Sequence, residues 1–162
     1  PWAIPGTAGL EHRIGGLEKE NVSGNVSYDP DNHQLMVKLR QEKVDKIAQY
    51  IPEQELDNGP DSGKLLVLGW GSTYGVIKTV VASLVEEGYA VAHAHLRYIR
   101  PFPRNLGALL AKYETVLIPE INNGQLIKLI RDEFLIDAKG YNKVKGEPIM
   151  KAELLEEIRK YL

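Results

Sequence analysis

Hydrophobic residues recur with regular spacing in the second part of the chain. Short apolar runs at residues 65–68, 90–96 and 115–118, the last stopped by Pro119, predict buried strands, and residues 141–144 suit a short edge strand. Apolar residues at helical spacing predict helices over residues 76–85, closed by Gly88, and over residues 106–113, 126–134 and 154–162. Strands that alternate with helices favour right-handed crossovers. We therefore expect an α/β fold with an open, mostly parallel sheet flanked by helices.

The first part of the chain carries little periodic pattern. Residues 1–28 are predicted to form an irregular arm with one short strand at residues 24–28. Asp29 as N-cap, Pro30 as first helical residue and apolar residues at positions 37, 44, 48 and 51 predict one amphipathic helix that ends before Pro52. Residues 53–63 are rich in turn-forming residues, which is typical of a domain boundary. The prediction is an arm plus helix over residues 1–62 and an α/β domain over residues 63–162.

The composition excludes several kinds of site. The chain has 162 residues, a formal net charge of −2 and no cysteine. Acidic and basic residues are interspersed, so nucleic acid and an anionic membrane are not favoured as partners. Without cysteine the chain forms no disulfides, thiolate zinc sites or cysteine-ligated iron–sulfur clusters. The absence of a recognisable leader or membrane-length apolar run predicts a cytoplasmic protein, and a first residue of Pro1 rather than Met predicts a fragment.

Open parallel sheets bind ligands at the carboxyl ends of their strands, which here precede residues 69–72, 97–103 and 120–124. The first loop begins a glycine-rich turn, GWGSTYG, whose amides would suit an anion. A dinucleotide fingerprint is not favoured, because Tyr74 stands where its third glycine belongs. The favoured interpretation is a tight strand-to-helix turn, with Ser72 or Thr73 capping the helix and Trp70 packed at an interface.

Histidines and arginines mark the second strand and the loop after it. His93 and His95 point to one face of the strand, a spacing that can present two imidazoles to a metal. No third ligand is evident and helices should cover this strand, so buried or partly buried histidines are favoured and no metal site is predicted. Arg97, Arg100 and Arg104 lie among aromatic residues and prolines, where they either bind a carboxylate, a phosphate or an acidic partner surface or remain solvated.

Two further segments are candidate contacts. Glu120 and Asn122 follow the third strand where the next helix begins, so we expect them to cap that helix or to contact a neighbour. In residues 5–19 small or turn-forming residues alternate with charged ones, including Glu11, His12 and Arg13, which suits a specific contact loop as well as a solvated surface loop. No Ser-His-Asp relay, paired carboxylate site or P-loop lysine is found. The chain is therefore predicted to be non-catalytic.

Several motifs, read together and in order, resemble one family. They are PGT, GLEHR and GGLEK within residues 5–19, YDP and NH within 28–33, LGWGSTYG at 68–75, HLR and PFP within 95–103, and PE, N and GQL within 119–126. With them the chain resembles, nearly from end to end, the C-terminal part of the alpha subunit of 2-oxoacid:ferredoxin oxidoreductases, particularly the 2-oxoglutarate type. Ala8 and Ile14 depart from this pattern, since Pro and Thr are expected there in many relatives.

The resemblance implies an enzyme that uses thiamine diphosphate and magnesium to decarboxylate a 2-oxoacid oxidatively. It would transfer the acyl group to coenzyme A and reduce ferredoxin through an iron–sulfur cluster. The resemblance places the catalytic glutamate earlier in the alpha subunit, and the diphosphate and cluster sites chiefly on the beta subunit. Residues 63–162 would be a transketolase C-terminal-like domain that supports subunit assembly, with no cofactor of its own. The implied partners are the beta subunit, the upstream alpha domains and, through the complex, ferredoxin.

Two other functions remain open from the residues alone. The glycine-rich turn with Arg97 or Arg100 would suit a stand-alone module that binds a nucleotide or coenzyme A. Trp70 and the apolar strand edge would suit a homodimerisation domain. The loop with Glu11, His12 and Arg13 is expected to contact a neighbouring domain or subunit.

Overall fold

The computed structural model describes residues 3–12 and 15–162. The chain divides into two compact units, Pro1–Ile47 and Ala48–Leu162, which we call the arm unit and the sheet unit. Of the predicted contact residues, Arg13 lies outside the described residues. Over the ranges that are described, no helix has both the length and the apolar character needed to cross a membrane.

The sheet unit is built on a five-stranded sheet. Its strands are β1 (Leu56–Asn58), β2 (Gly63–Trp70), β3 (Val91–Leu96), β4 (Tyr113–Glu120) and β5 (Lys139–Asn142). Their order across the sheet is β1-β3-β2-β4-β5. Strands β2 to β5 pair in parallel, and β1 pairs antiparallel with β3 at one edge. The predicted α/β fold with a mostly parallel sheet is confirmed.

Helices cover both faces of the sheet. The helices of the chain are α1 (Pro30–Lys46) in the arm unit, and α2 (Tyr74–Glu86), α3 (Leu106–Leu110), α4 (Gln125–Phe134) and α5 (Lys151–Arg159) in the sheet unit. Because side chains alternate along a strand, β2 packs Leu65 and Val67 against α2 and α5. Its other face packs Leu66 and Leu68 against α3 and α4. The continuous apolar run of β2 is thus buried on both sides, as predicted.

The third predicted strand is longer at both ends than its apolar run. β4 begins at Tyr113, which the helical pattern had included in the preceding helix, and α3 ends at Leu110. The prediction that Pro119 stops the strand is also wrong, since Pro119 lies in β4 opposite Tyr141 of β5. Pairing of β4 with β2 ends at Leu117, so Pro119 lies where β4 has one strand neighbour and its missing N–H removes no bond to β2.

The two edge strands differ most from the sequence prediction. β1 lies inside the turn-rich segment 53–63, which had been assigned to a boundary, and it is three residues long. β5 covers Lys139–Asn142, two residues earlier than the predicted edge strand at 141–144. At the end of α2 the prediction holds: Gly88 adopts φ +90° and donates its N–H to the carbonyl of Val85.

The arm unit consists of a hairpin over residues 18–27 followed by α1. The predicted strand at residues 24–28 is wrong, because the described residues there form a single antiparallel bridge between Lys19 and Val26. α1 begins as predicted, with the Asp29 carboxylate accepting from the Asn32 amide at 2.9 Å and Pro30 in the first turn. It ends at Lys46 rather than at Pro52.

The arm unit has no apolar core of its own in its described residues. Asn32 is the one buried residue there. On α1, Leu35, Val37 and Leu39 are exposed by 41%, 48% and 38%. The predicted helix is therefore present, but its apolar residues are not covered by this unit.

Candidate functional site

β2 ends in a tight turn that joins Trp70 to Thr73. Gly71 adopts φ +57° there, a conformation that glycine takes without strain. The Thr73 hydroxyl donates to the Trp70 carbonyl at 2.8 Å and accepts from the Trp70 N–H at 3.3 Å. Thr73 occupies the N-cap position of α2, but no side chain of the described residues caps this helix. The prediction that Ser72 or Thr73 caps it is wrong, because Thr73 is engaged by the turn and Ser72 is exposed.

Glu120 joins the ends of β2 and β4. Its fully buried carboxylate accepts from the Trp70 indole N–H at 3.3 Å and from the amides of Leu126 and Ile127 at 2.9 and 3.2 Å. A carboxylate at this end of a helix satisfies free amides and interacts favourably with the helix dipole. The Asn122 side-chain oxygen accepts from the first amide of α4 at 2.9 Å. The capping role predicted for Glu120 and Asn122 is confirmed.

His93 and His95 lie on the face of β3 that α2 covers. The ring of Tyr74 lies 5.7 Å from the ring of His93 and 4.9 Å from that of His95, measured between centroids. His93 is fully buried, and neither of its ring nitrogens, nor Nδ1 of His95, has a hydrogen-bond partner among the described residues. The described part of the chain holds no group of three or more His, Cys, Asp or Glu side chains placed for a metal ion.

Burial determines the charge of the two histidines. It lowers the pKa of His93 to about 4; nearby Asp57 opposes this effect, while His95 and Lys78 add to it. Burial also lowers the pKa of His95, against the opposing influence of Asp57. Desolvation disfavours the charged imidazolium. Both imidazoles are therefore neutral at pH 7.

Gly69 permits the close packing of these rings on β2. A Cβ atom at this position would lie 2.6 Å from Cδ1 of Ile77 and 2.9 Å from Nδ1 of His95. Real Cβ atoms do not approach other heavy atoms so closely, so a side chain here would displace α2 or the His95 ring. The first glycine of the GWG turn is thus needed for side-chain packing as well as for the turn.

A cavity of about 330 Å³ lies at the carboxyl end of β3, beside residues 52–57. Its lining includes Tyr74, His95 and Arg97 together with the acidic residues Glu53, Glu55 and Asp57. The lining therefore combines one guanidinium with carboxylates and aromatic rings and is not uniformly positive. Of the three predicted arginines, Arg100 and Arg104 are exposed and do not line this cavity.

The predicted contact loop is exposed wherever it is described. Thr7 and Leu10 donate their amides to the carbonyls of Ile4 and Thr7 at 3.1 and 3.2 Å, which forms two successive turns. Glu11 is exposed, and Nδ1 of the exposed His12 lies 2.8 Å from the Leu10 carbonyl oxygen. These side chains are thus available for contacts with another molecule.

A polar network that sequence spacing did not reveal holds the hairpin against α1. The Glu18 carboxylate accepts from Arg40 at 2.9 Å and pairs with His33 at 2.5 Å. These partners, Arg40 first, hold the pKa of Glu18 at about 2. The Asn32 side chain accepts from the Asn21 amide at 2.9 Å and donates to the Lys19 carbonyl at 3.0 Å. The one sequence signal was Asn32 itself, a polar residue in the first turn of a helix.

Comparison with known proteins gives consistent relatives. Residues 63–149 match the family described as pyruvate:ferredoxin oxidoreductase core domain II. The 2-oxoglutarate oxidoreductase subunit KorA of Mycobacterium tuberculosis is 49% identical over 158 residues, which cover 98% of this chain and 24% of that protein. The 2-oxoacid:ferredoxin oxidoreductase subunit alpha of Saccharolobus solfataricus is 28% identical over 98% of this chain and 26% of its own length. The chain spans about a quarter of the length of these curated relatives.

Solved structures agree with these sequence matches. A 2-oxoglutarate:ferredoxin oxidoreductase from Magnetococcus marinus, with 2-oxoglutarate, coenzyme A and succinyl-CoA bound, has a TM-score of 0.89 at 28% identity and covers 99% of this chain and 28% of its own. A split-gene transketolase, an inactive beta4 tetramer, has a TM-score of 0.51 at 15% identity over 68% of this chain and 41% of its own, which shows a shared fold alone. The predicted resemblance is confirmed. The chain belongs to the pyruvate:ferredoxin oxidoreductase core domain II family and is related to the alpha subunits of 2-oxoacid:ferredoxin oxidoreductases.

Proposed function

We propose that this chain is the core domain II part of the alpha subunit of a cytoplasmic 2-oxoglutarate:ferredoxin oxidoreductase. In this proposal the chain is itself non-catalytic and supports assembly of the alpha subunit with the beta subunit. The whole enzyme would oxidatively decarboxylate 2-oxoglutarate, form an acyl-coenzyme A and reduce ferredoxin. The identity of 49% with the KorA subunit over nearly the whole chain supports this choice of substrate class.

One observation carries the non-catalytic role: the polar groups at the carboxyl edge of the sheet are used internally. The Glu120 carboxylate caps α4, and the Thr73 hydroxyl closes the turn after β2. His93 is neutral and buried under α2. All three side chains are at most 4% exposed. A substrate at this edge would therefore meet no accessible base or nucleophile from these residues.

The donor groups of the chain do not fit the cofactors of the proposed enzyme. An iron–sulfur cluster held by thiolates needs cysteines, and the chain has none. A magnesium ion bound with a diphosphate needs clustered oxygen ligands. The described residues contain no group of three or more carboxylate or histidine side chains suited to a metal. Thiamine diphosphate, magnesium and the cluster would therefore be held by other parts of the enzyme.

Viologen reduction by the full alpha–beta complex, with 2-oxoglutarate and coenzyme A as substrates, tests the proposal. The comparison is between the intact alpha subunit and an alpha subunit that lacks residues 63–162. We expect the deletion to abolish both co-purification of the beta subunit and viologen reduction. Arg104→Ala, at an exposed position outside the cavity, is the control and should keep both. Lost reduction with intact assembly would contradict an assembly role.

The exposed loop with Glu11, His12 and Arg13 is proposed to contact a neighbouring domain or subunit. Its turns hold the Glu11 and His12 side chains at the surface. Replacing Glu11 and His12 together by serine should weaken co-purification of the beta subunit or lower the unfolding temperature of the alpha subunit. If neither changes, the loop is a solvated surface loop.

The cavity beside Arg97 favours binding of a nucleotide or coenzyme A as a second candidate function. It places a guanidinium next to two aromatic rings, a combination that suits a phosphate attached to a ring system. Calorimetry of the full complex with coenzyme A should then show about tenfold or greater weakening for Arg97→Ala and unchanged binding for Arg104→Ala. Equal affinities of the two variants would reject this candidate.

A further inference from the structure

Val22, at the tip of the hairpin over residues 18–27, combines two unfavourable properties. Its φ is +73°, a left-handed conformation in which a β-branched residue is a rare outlier. Its side chain is 98% exposed. Glycine or asparagine would occupy such a position readily, and Gly24 in the same turn shows the same φ of +73°. A valine here is costly for the isolated fold, and such strain is a known mark of functional segments.

The hairpin presents this side chain rigidly. Across the hairpin the Glu20 amide donates to the Asn25 carbonyl at 2.7 Å, and the Gly24 amide donates to the Glu20 carbonyl at 3.0 Å. The Ser23 hydroxyl donates to the Glu20 carboxylate. From behind, the buried Asn32 side chain bonds the hairpin backbone on both strands' approach to the tip, through Lys19 and Asn21. Val22 is therefore a fixed apolar projection on an anchored hairpin.

We propose that Val22 inserts into an apolar pocket on the beta subunit of the complex. The inference rests on the proposed function, in which this chain joins the alpha and beta subunits. The Glu18 and Glu20 carboxylates of the hairpin are paired internally, so they do not oppose an apolar contact at the tip. Association of separate chains costs translational freedom and the ordering of side chains, and a pre-formed projection reduces the second cost. That saving favours a contact between chains over a contact with a tethered domain of the same chain.

The test uses full-length alpha and beta subunits purified separately, with their dissociation constant measured by mass photometry over a dilution series. Val22→Asn removes the apolar side chain and suits the left-handed backbone, so it should weaken association about tenfold to hundredfold. Val22→Thr keeps the branched shape and the strain but adds a hydroxyl, and should also weaken association. The unfolding temperature of the alpha subunit alone should not fall for Val22→Asn.

Leu135 offers a matched control, because it is also apolar, 90% exposed and left-handed, with φ +52°. Leu135→Asn should leave the dissociation constant unchanged. An unchanged constant for Val22→Asn, or an equal loss for Leu135→Asn, would overturn the proposal. A lower unfolding temperature of the Val22→Asn alpha subunit alone, without weaker association, would also overturn it and indicate packing within the alpha chain. If deleting residues 63–162 abolishes assembly while Val22→Asn does not weaken it, the proposed function stands and this inference fails.

Discussion

The buried imidazole of His93 should make the sheet unit sensitive to acid. Its pKa is lowered from the ordinary 6.5 to about 4, first by burial and further by the charges of His95 and Lys78, against the opposing effect of Asp57. Between these two pH values the unfolded chain binds a proton at His93 that the folded chain does not bind. The free energy of unfolding therefore falls as the pH is lowered from about 6.5 to about 4.

The size of the effect follows from the two pKa values. A difference of one in pKa corresponds to about 1.4 kcal/mol, so values of 6.5 and about 4 give a loss of roughly 3 kcal/mol by pH 4. The His93→Leu variant keeps a side chain of similar size but has no proton to bind, so it should be spared this loss. At pH 7 it should be at least as stable as the wild type, because it removes two buried ring nitrogens without partners.

Urea unfolding of the purified chain between pH 4 and pH 7 measures this effect. Fluorescence of Trp70 reports on the sheet unit if the other tryptophan is removed by Trp2→Phe. The stability difference between wild type and His93→Leu should change by about 3 kcal/mol over this range, in favour of the variant at low pH. His12→Gln, at an exposed position, is the control and should follow the wild type. Parallel curves for wild type and His93→Leu would refute the reasoning.

Three further predictions concern packing, capping and the arm unit. Gly69→Ala should lower the free energy of unfolding in urea by about 1–3 kcal/mol, because its Cβ would meet His95 and Ile77; Gly75→Ala, where a Cβ meets nothing within 4 Å, should not, and equal effects would contradict the packing argument. Glu120→Gln should weaken the start of α4 by roughly 2 kcal/mol, seen as faster hydrogen exchange of its first amides, and unchanged exchange would count against the cap. Since the pKa of Glu18 is held at about 2, its contacts with α1 should persist above pH 4.5 and be lost as the pH falls towards 2. Amide exchange in the hairpin should accelerate over that range in the wild type but not in Glu18→Gln, and a flat profile in both would argue against this role.

The central strands could be located from the sequence because each is buried on both faces. Residues 65–68 read as one apolar run, and the glycines and prolines around such runs marked most element ends. β1 could not be found in this way, because three residues are too few to show alternation. Its pairing depends on the free edge of β3, which is a property of the whole sheet.

The site divides along the same line. The local role of Glu120 as a helix cap was predictable, since it precedes a helix by a few residues. Its bond to Trp70 joins residues 50 apart in sequence and requires that β2 and β4 be neighbours. The pairing of Glu18 with Arg40 is likewise non-local, 22 residues apart, and no periodic pattern marks it. Sequence pattern reports burial and local turns, whereas side-chain partners depend on tertiary structure.

The lengths of the outer strands limit how this sheet can associate with other proteins. Its two edges are formed by β1, with three residues, and β5, with four. The pairing of β1 is also interrupted by an irregularity in register. Edges this short offer few backbone groups to an incoming strand, and they protect against uncontrolled growth of the sheet. Partners must therefore recognise this domain through the side chains of its helices and loops, which makes the contact specific to sequence rather than to backbone.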